Sequence, residues 1–132
     1  RHQMLKPNDI LLAVKGSIGK VGLVPPDFEG VWFANQSFHV LRLVQNPHIT
    51  DPVVLYRYLC SPAGHALIDA RSGGATVRMI QTRDVKALPV AVPTMKEQAV
   101  IIAEHKKIVA LYDKIAQLQL EAEELSKKHW AI

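Results

Sequence analysis

Apolar and polar residues change rhythm three times along this chain. From Ile10 to Val14, and again from Val21 to Val24, aliphatic and β-branched residues stand in short runs parted by a glycine-containing turn and closed by Pro25-Pro26. That pattern predicts two β-strands joined as a hairpin. After the turn-rich "PPDFEG", the segment "VWFANQSFHVLRLV" alternates from Ser37 onward, with Phe38, Val40 and Leu41 or Leu43 offering apolar faces. One or two further strands are expected there, and with them a sheet that buries one face.

The period then lengthens. Asp51-Pro52 supplies an N-cap and a first-turn proline, and Val53, Tyr56 and Leu59 or Cys60 recur at helical spacing. Ser61-Pro62 repeats the start signal before "AGHALIDAR", so a helix, a break and a second helix are predicted. The glycine pair in "RSGGATVRMI" ends that second helix, "TVRMI" suits another strand, and the proline-bounded "LPVAVP" suits an edge strand. On this reading the sheet gathers strands from both sides of the helices.

The third rhythm begins at Thr94, which with Glu97 matches a capping box. No proline or glycine follows from Met95 to His129, so one helix is expected to run ~50 Å at about 1.5 Å per residue. Within it, Ile108, Leu111, Ile115, Leu118, Ala122 and Leu125 alternate spacings of three and four, the seam of a coiled coil over roughly three heptads. Such a stripe is covered by a second copy, by a partner helix or by its own domain folded back.

Charge divides the 132 residues at the same point. Residues 1–93 hold ten Lys/Arg and six Asp/Glu, an excess of +4, whereas 94–132 hold six of each and net to zero. A basic front part is suited to phosphate and a balanced tail to packing on protein. The expected organisation is therefore an α+β domain over 1–93 and a long helix over 94–132. Hydrophobic residues at 48% and charged residues at 21% describe an ordinary globular chain, and its longest apolar run is far below a membrane span. Cys60 is the only cysteine and "RHQMLKPND" lacks the apolar core of a signal peptide, so the expected location is the cytoplasm. Because Arg1 stands where an initiator methionine would, the sequence is expected to be a piece of something longer.

Candidate chemistry centres on "AVKGSIGKVGLV". A phosphate-binding Walker loop needs four residues between its glycines and Lys followed by Ser or Thr; only two separate Gly16 from Gly19, and Val21 follows Lys20. Gly16-Ser17-Ile18-Gly19 fits the GXXG clamp of KH domains, but that clamp joins helices and these flanks are strands. What remains is a turn that offers Lys15, Ser17 and Lys20 to phosphate oxygens, or one whose lysines only discourage edge-to-edge aggregation. No catalytic constellation or cofactor fingerprint is expected. Cys60 sits in an apolar helix, the six histidines have no metal-ligand spacing, and Asn46-Pro47-His48-Ile49 lacks the second proline and the aromatic of an amino-methyltransferase motif.

In order, "PNDILLAVKGSIGKVGLV", "ANQSFHVLRL", "LYRYLCSPAGHALI" and "GGATVRMIQTRDVKALPVAVPTMKEQAVI", followed by a long helix, resemble the target-recognition domain of type I restriction-modification specificity subunits. The resemblance runs from about Asn8 past Ile102. It implies a module without catalysis or cofactor of its own, which reads one half of a bipartite double-stranded DNA sequence for an adenine-N6 methyltransferase subunit or domain. It also implies that the long helix is a spacer that pairs antiparallel with another; one recognition part and one helix here point to a half-subunit that dimerises, or to a module fused behind a methyltransferase. Lys15, Ser17, Lys20 and Arg78 are the candidates for phosphate, with Arg71 and Arg83 behind them, and Gln36, Thr76 and Gln81 can reach base edges. For each polar residue the competing role is a hydrogen bond inside the fold. Asn8 and Arg78 stand where the family pattern often has Gly and Pro, and a segment that precedes "DILL" in the family has no counterpart here. The rival class is a coiled-coil assembly module that reads no DNA.

Overall fold

The computed structural model describes residues 3–44, 46–73 and 79–130. Strand β2 (Ile10–Ala13) is its centre, paired antiparallel on one side with β3 (Val21–Leu23) and on the other with β5 (Phe38–Leu41). A separate two-stranded sheet pairs β1 (Gln3–Met4) with β4 (Phe33–Ala34). The alternation Ile10, Leu12, Val14 is buried at 0, 0 and 7% exposure. Leu59, Ile68, Ile80 and Val85 close over those side chains to make the core.

Three helices supply that cover. Helix α1 (Pro52–Cys60) starts at Asp51, whose carboxylate accepts from the Val53 amide, and α2 (Pro62–Arg71) starts at Ser61, whose hydroxyl accepts from the Gly64 amide. Each carries the predicted proline in its first turn, where the missing N–H costs nothing. The break between them is tight because of Gly64. A Cβ there would overlap the Tyr58 carbonyl oxygen and lie 2.8 Å from Leu59 Cα, both backbone atoms that cannot step aside. The third, α3 (Thr82–Lys86), contributes Val85.

The hairpin, both early helices and the capped start of the long helix fall where the sequence predicts them. "LPVAVP" does not: residues 88–93 belong to no strand, and Pro89 and Pro93 have no N–H to donate to a ladder. Of "TVRMI", only Met79 and Ile80 are described, and Met79 forms isolated bridges to Lys15 and Gly73 instead of a strand. The three-stranded sheet therefore takes no strand from beyond the helices among the described residues. Asn8 has φ +69°, the left-handed conformation that asparagine tolerates best after glycine, so it serves the turn where the family pattern often has Gly.

Asp9 ties this turn to the sheet. It is 1% exposed, accepts from the Lys6 amide at 2.8 Å, and holds the Arg42 guanidinium through Nε at 2.8 Å and Nη2 at 2.7 Å. Burial pushes its carboxyl up, but the Arg42 bonds, the Lys6 amide and the two positive charges together bring it below the ordinary value. Helix α4 (Met95–Lys127) begins on the predicted box, with the Glu97 amide donating to Thr94 Oγ1 at 3.2 Å, and leaves the domain as a 33-residue rod. No helix of the described residues is long and apolar enough to cross a membrane.

Two stability tests follow. Arg42→Met strands a buried carboxylate and should cost about 2–3 kcal/mol near neutral pH in chemical denaturation, the low end for a broken ion pair because Arg42 itself is 44% exposed. The Asp9 carboxyl lies low in the wild type, so stability present above its unfolded value is lost as pH falls through its folded value. In Arg42→Met the Arg42 bonds and charge that lower this carboxyl are gone, so the deficit should shrink on acidification; a gap constant from pH 7 to 3 would contradict this account. Gly64→Ala should cost about 3 kcal/mol by forcing α1 and α2 apart, and an unchanged unfolding midpoint would refute the close approach.

Candidate nucleic-acid interface

Three polar segments meet at the C-terminal end of β2. In the hairpin turn, Gly16 (φ +69°) and Gly19 (φ +92°) adopt left-handed backbone, the Gly19 amide donates to the Ala13 carbonyl at 3.1 Å, and the Ala13 amide donates to the Lys20 carbonyl at 2.9 Å. Ile18 turns inward onto the core, which leaves Ser17 and Lys20 exposed and Lys15 half-buried. Strand on both flanks confirms a hairpin, so neither a Walker loop nor a KH clamp is present here.

Next to it, Asn35 Oδ1 accepts from the Ser37 amide at 2.8 Å, and the Ser37 carbonyl accepts from the Val14 amide at 2.9 Å. That turn holds Gln36 exposed at its tip, beside Lys15. From the other side, the Ile80 amide donates to the Val14 carbonyl at 3.1 Å and Met79 bridges Lys15. Gln81 follows directly as the exposed residue that precedes α3, without a side-chain capping bond, and Arg83 is exposed in the first turn of α3. Arg71 is drawn to the same edge because Gly73 bridges Met79, although its Nη1 is donated at 3.3 Å to the Leu67 carbonyl of its own helix end. Thr76 and Arg78 lie outside the described residues.

Not every front-half cation is available to a ligand. Arg42 is held by Asp9, and Arg57 Nε donates to His105 Nδ1 at 2.9 Å while its guanidinium lies 5.1 Å from the Tyr56 ring centre. Lys15, Lys20, Arg71, Arg83 and Lys86 remain around the β2 end and α3. Of these, Lys86 reaches His39 on β5, where burial first and then the Lys86 charge lower the imidazole below its ordinary value. No group of three or more His, Cys, Asp or Glu that could hold a metal ion occurs among the described residues.

Sequence reasoning missed His65. It is exposed on α2 and lines, with Ile18, Gly19 and Asp69, a shallow groove of about 320 Å³ beneath the lysine turn. A Cβ on Gly19 would stand 3.8 Å from His65 Nδ1, which is how close helix and turn approach. The available signal was the spacing of four between His65 and Asp69, which puts both on one helix face. Along the rod, Leu111, Ile115, Leu118 and Leu125 are 60, 48, 55 and 70% exposed, and Ala122 is exposed as well. Ile108 differs from them: it is half-buried in a groove with Tyr56, Cys60 and Tyr112, so the stripe starts within the domain's own packing.

Residues 3–124 match the family described as the type I restriction modification DNA specificity domain. The chain is also 26% identical, over 115 residues, to the type I restriction enzyme EcoBI specificity subunit of Escherichia coli. That match takes in 87% of this chain and 23% of the relative, so the chain spans less than a quarter of that subunit's length. A match that takes in both the β-sheet head and most of the rod is a match to the whole architecture, and the chain belongs to the family of type I restriction-modification DNA specificity domains.

Proposed function

We propose that this chain reads one half of a bipartite DNA sequence, its residues 1–93 acting as the reader and 94–132 as the spacer, and that it directs adenine-N6 methylation and restriction carried out by partner subunits or domains. The observation that carries this reading is the convergence of Lys15, Ser17, Gln36 and Gln81 around one strand end in a DNA specificity domain. Lysine and hydroxyl groups take phosphate oxygens and set the register on the duplex, while the amides of Gln36 and Gln81 offer the paired donor and acceptor that an adenine edge presents. Lys20, Arg71 and Arg83 add charge around them. Two such readers joined through the exposed stripes of their rods form a homodimer on double-stranded DNA. A rod of ~50 Å is of the order required for half-sites more than one ~34 Å turn apart.

Removal of one phosphate contact should lower the salt dependence of binding by a fixed step. For Lys20→Ala, the slope of log affinity against log salt should become shallower by about one unit, at near-equal cost on cognate and unrelated duplexes. An unchanged slope removes Lys20 from the interface, and weak wild-type binding with no slope favours the assembly module that reads no DNA. Leu118→Asp puts a charge in the middle of the stripe, so sedimentation should show a dimer turning into monomer while the reader stays folded. A dimer that persists puts the contact elsewhere.

A further inference from the structure

The buried polar residue that this function does not yet use is Gln98. It is 1% exposed, one of two buried polar or charged side chains among the described residues. Both halves of its amide are saturated. Oε1 accepts from the Thr50 amide and from Thr50 Oγ1, each at 3.0 Å, while Nε2 donates to the His48 carbonyl at 2.6 Å and the Pro93 carbonyl at 3.1 Å. A primary amide has two donors and two acceptor lone pairs, and each is matched here. Thr50 and His48 precede α1 in the head, so one side chain of the rod is bolted to the domain by three of its four bonds.

A second fastening lies on the same face, seven residues further along. His105 Nδ1 accepts from Arg57 Nε, and its ring meets Tyr56 edge-on at 5.9 Å and 82°. Burial first, then the Arg57 charge, hold this imidazole below its ordinary value against the opposing pull of Asp51, so the ring stays neutral and able to accept. Thr50 meets Gln98 and Arg57 meets His105, so α1 and α4 run side by side in the same direction. Half-buried Ile101 and Ile102 fill the space between the two points.

The spacing gives this arrangement its leverage. Seven helical residues separate the fastenings by ~10.5 Å, and 22 more carry the rod ~33 Å past His105. A slip of ~1 Å at one point therefore swings the tip by ~3 Å, close to the ~3.4 Å step between base pairs. Apolar packing alone tolerates such slips, because it lacks direction; four hydrogen bonds, three of them to backbone groups, do not.

We propose that Gln98 is a positioning residue for DNA recognition, which with His105 forms a two-point mount that fixes the angle between reader and rod, and hence the half-site separation that a pair of chains accepts. This rests on the bipartite reading above. The mount can be tested apart from DNA by pulsed EPR on the full chain, with nitroxides at Ala70 on α2 and Glu124 on the rod in a Cys60→Ser background. Diluted with unlabelled chain, so that only the pair within one chain is read, the wild type should give one narrow distance distribution. Gln98→Met keeps the volume and loses all four bonds, whereas Gln98→Glu keeps the acceptor and loses both donations. Either should broaden the distribution by roughly 3 Å or more at temperatures where the head is still folded. A distribution as narrow as wild type in a folded variant overturns the mount, and should Gln98→Met fail to fold, Gln98→Glu decides.

The consequence for recognition is read on duplexes with two half-sites at graded separations. Wild type should favour one separation, and the variants should accept neighbouring separations almost equally while they bind an isolated half-site as wild type does. Retention of the wild-type preference by a variant with a broadened distribution overturns the link from mount to spacing. A wild-type chain that binds no duplex sinks the DNA reading, and leaves the EPR distributions to judge the geometry of the mount.

Discussion

The central strand carries the whole arrangement. Ile10, Leu12 and Val14 are the side chains around which α1, α2 and the segment leading into α3 are assembled, and the same strand's backbone is bonded on both edges. Past Ala13 the ladder does not simply stop. Its last groups are taken by Gly19 and Lys20 of the hairpin turn, by Ser37 and by Ile80, three separate parts of the chain. The need to satisfy buried backbone groups is thus what gathers three irregular segments, and their outward side chains become neighbours as a result. The surface with the chemistry is positioned by the demands of the interior.

Charge is distributed by the same logic. An excess of four positive charges in the front half overstates nothing in total, yet two of the arginines neutralise or anchor interior structure: Arg42 on Asp9, and Arg57 on His105. Lys15, Lys20, Arg83 and Lys86, by contrast, lie on turns and a short helix near the strand end. A head whose interior pairs are settled and whose rim is basic steers toward an anion without placing unpaired charge in its core. The rod, balanced in sign, adds length without altering that field.

Local signals were the ones legible in the sequence. Two aliphatic runs around a Gly-Ser-Ile-Gly turn, Asp-Pro and Ser-Pro starts, and a Thr/Glu box each encode a structure within four to ten residues, and each formed where the pattern put it. "LPVAVP" misled because apolar, β-branched composition suits an extended chain whether or not a neighbour pairs with it. Helix α3 escaped notice because five residues hold little more than one turn, too short for a period to show. Gln98 was invisible for a different reason: a glutamine in a charged helix reads as solvent-facing, and its partners lie 48 and 50 residues away. The same holds for the meeting of Lys15, Gln36 and Gln81, which is a property of the topology alone.

Helix α4 is capped and fastened where it leaves the head, and beyond Ile108 every described residue of it is exposed. Helix formation has a costly first turn and inexpensive growth, so the box at Thr94 seeds the coil and winding spreads outward from there. Winding is therefore least supported in the exposed turns farthest from that seed, around Leu125. A companion that covers the stripe would tighten the last turns most, which makes assembly of the rod partly an act of folding. The tip is where amide hydrogens of the solitary chain exchange soonest, and where association slows them most.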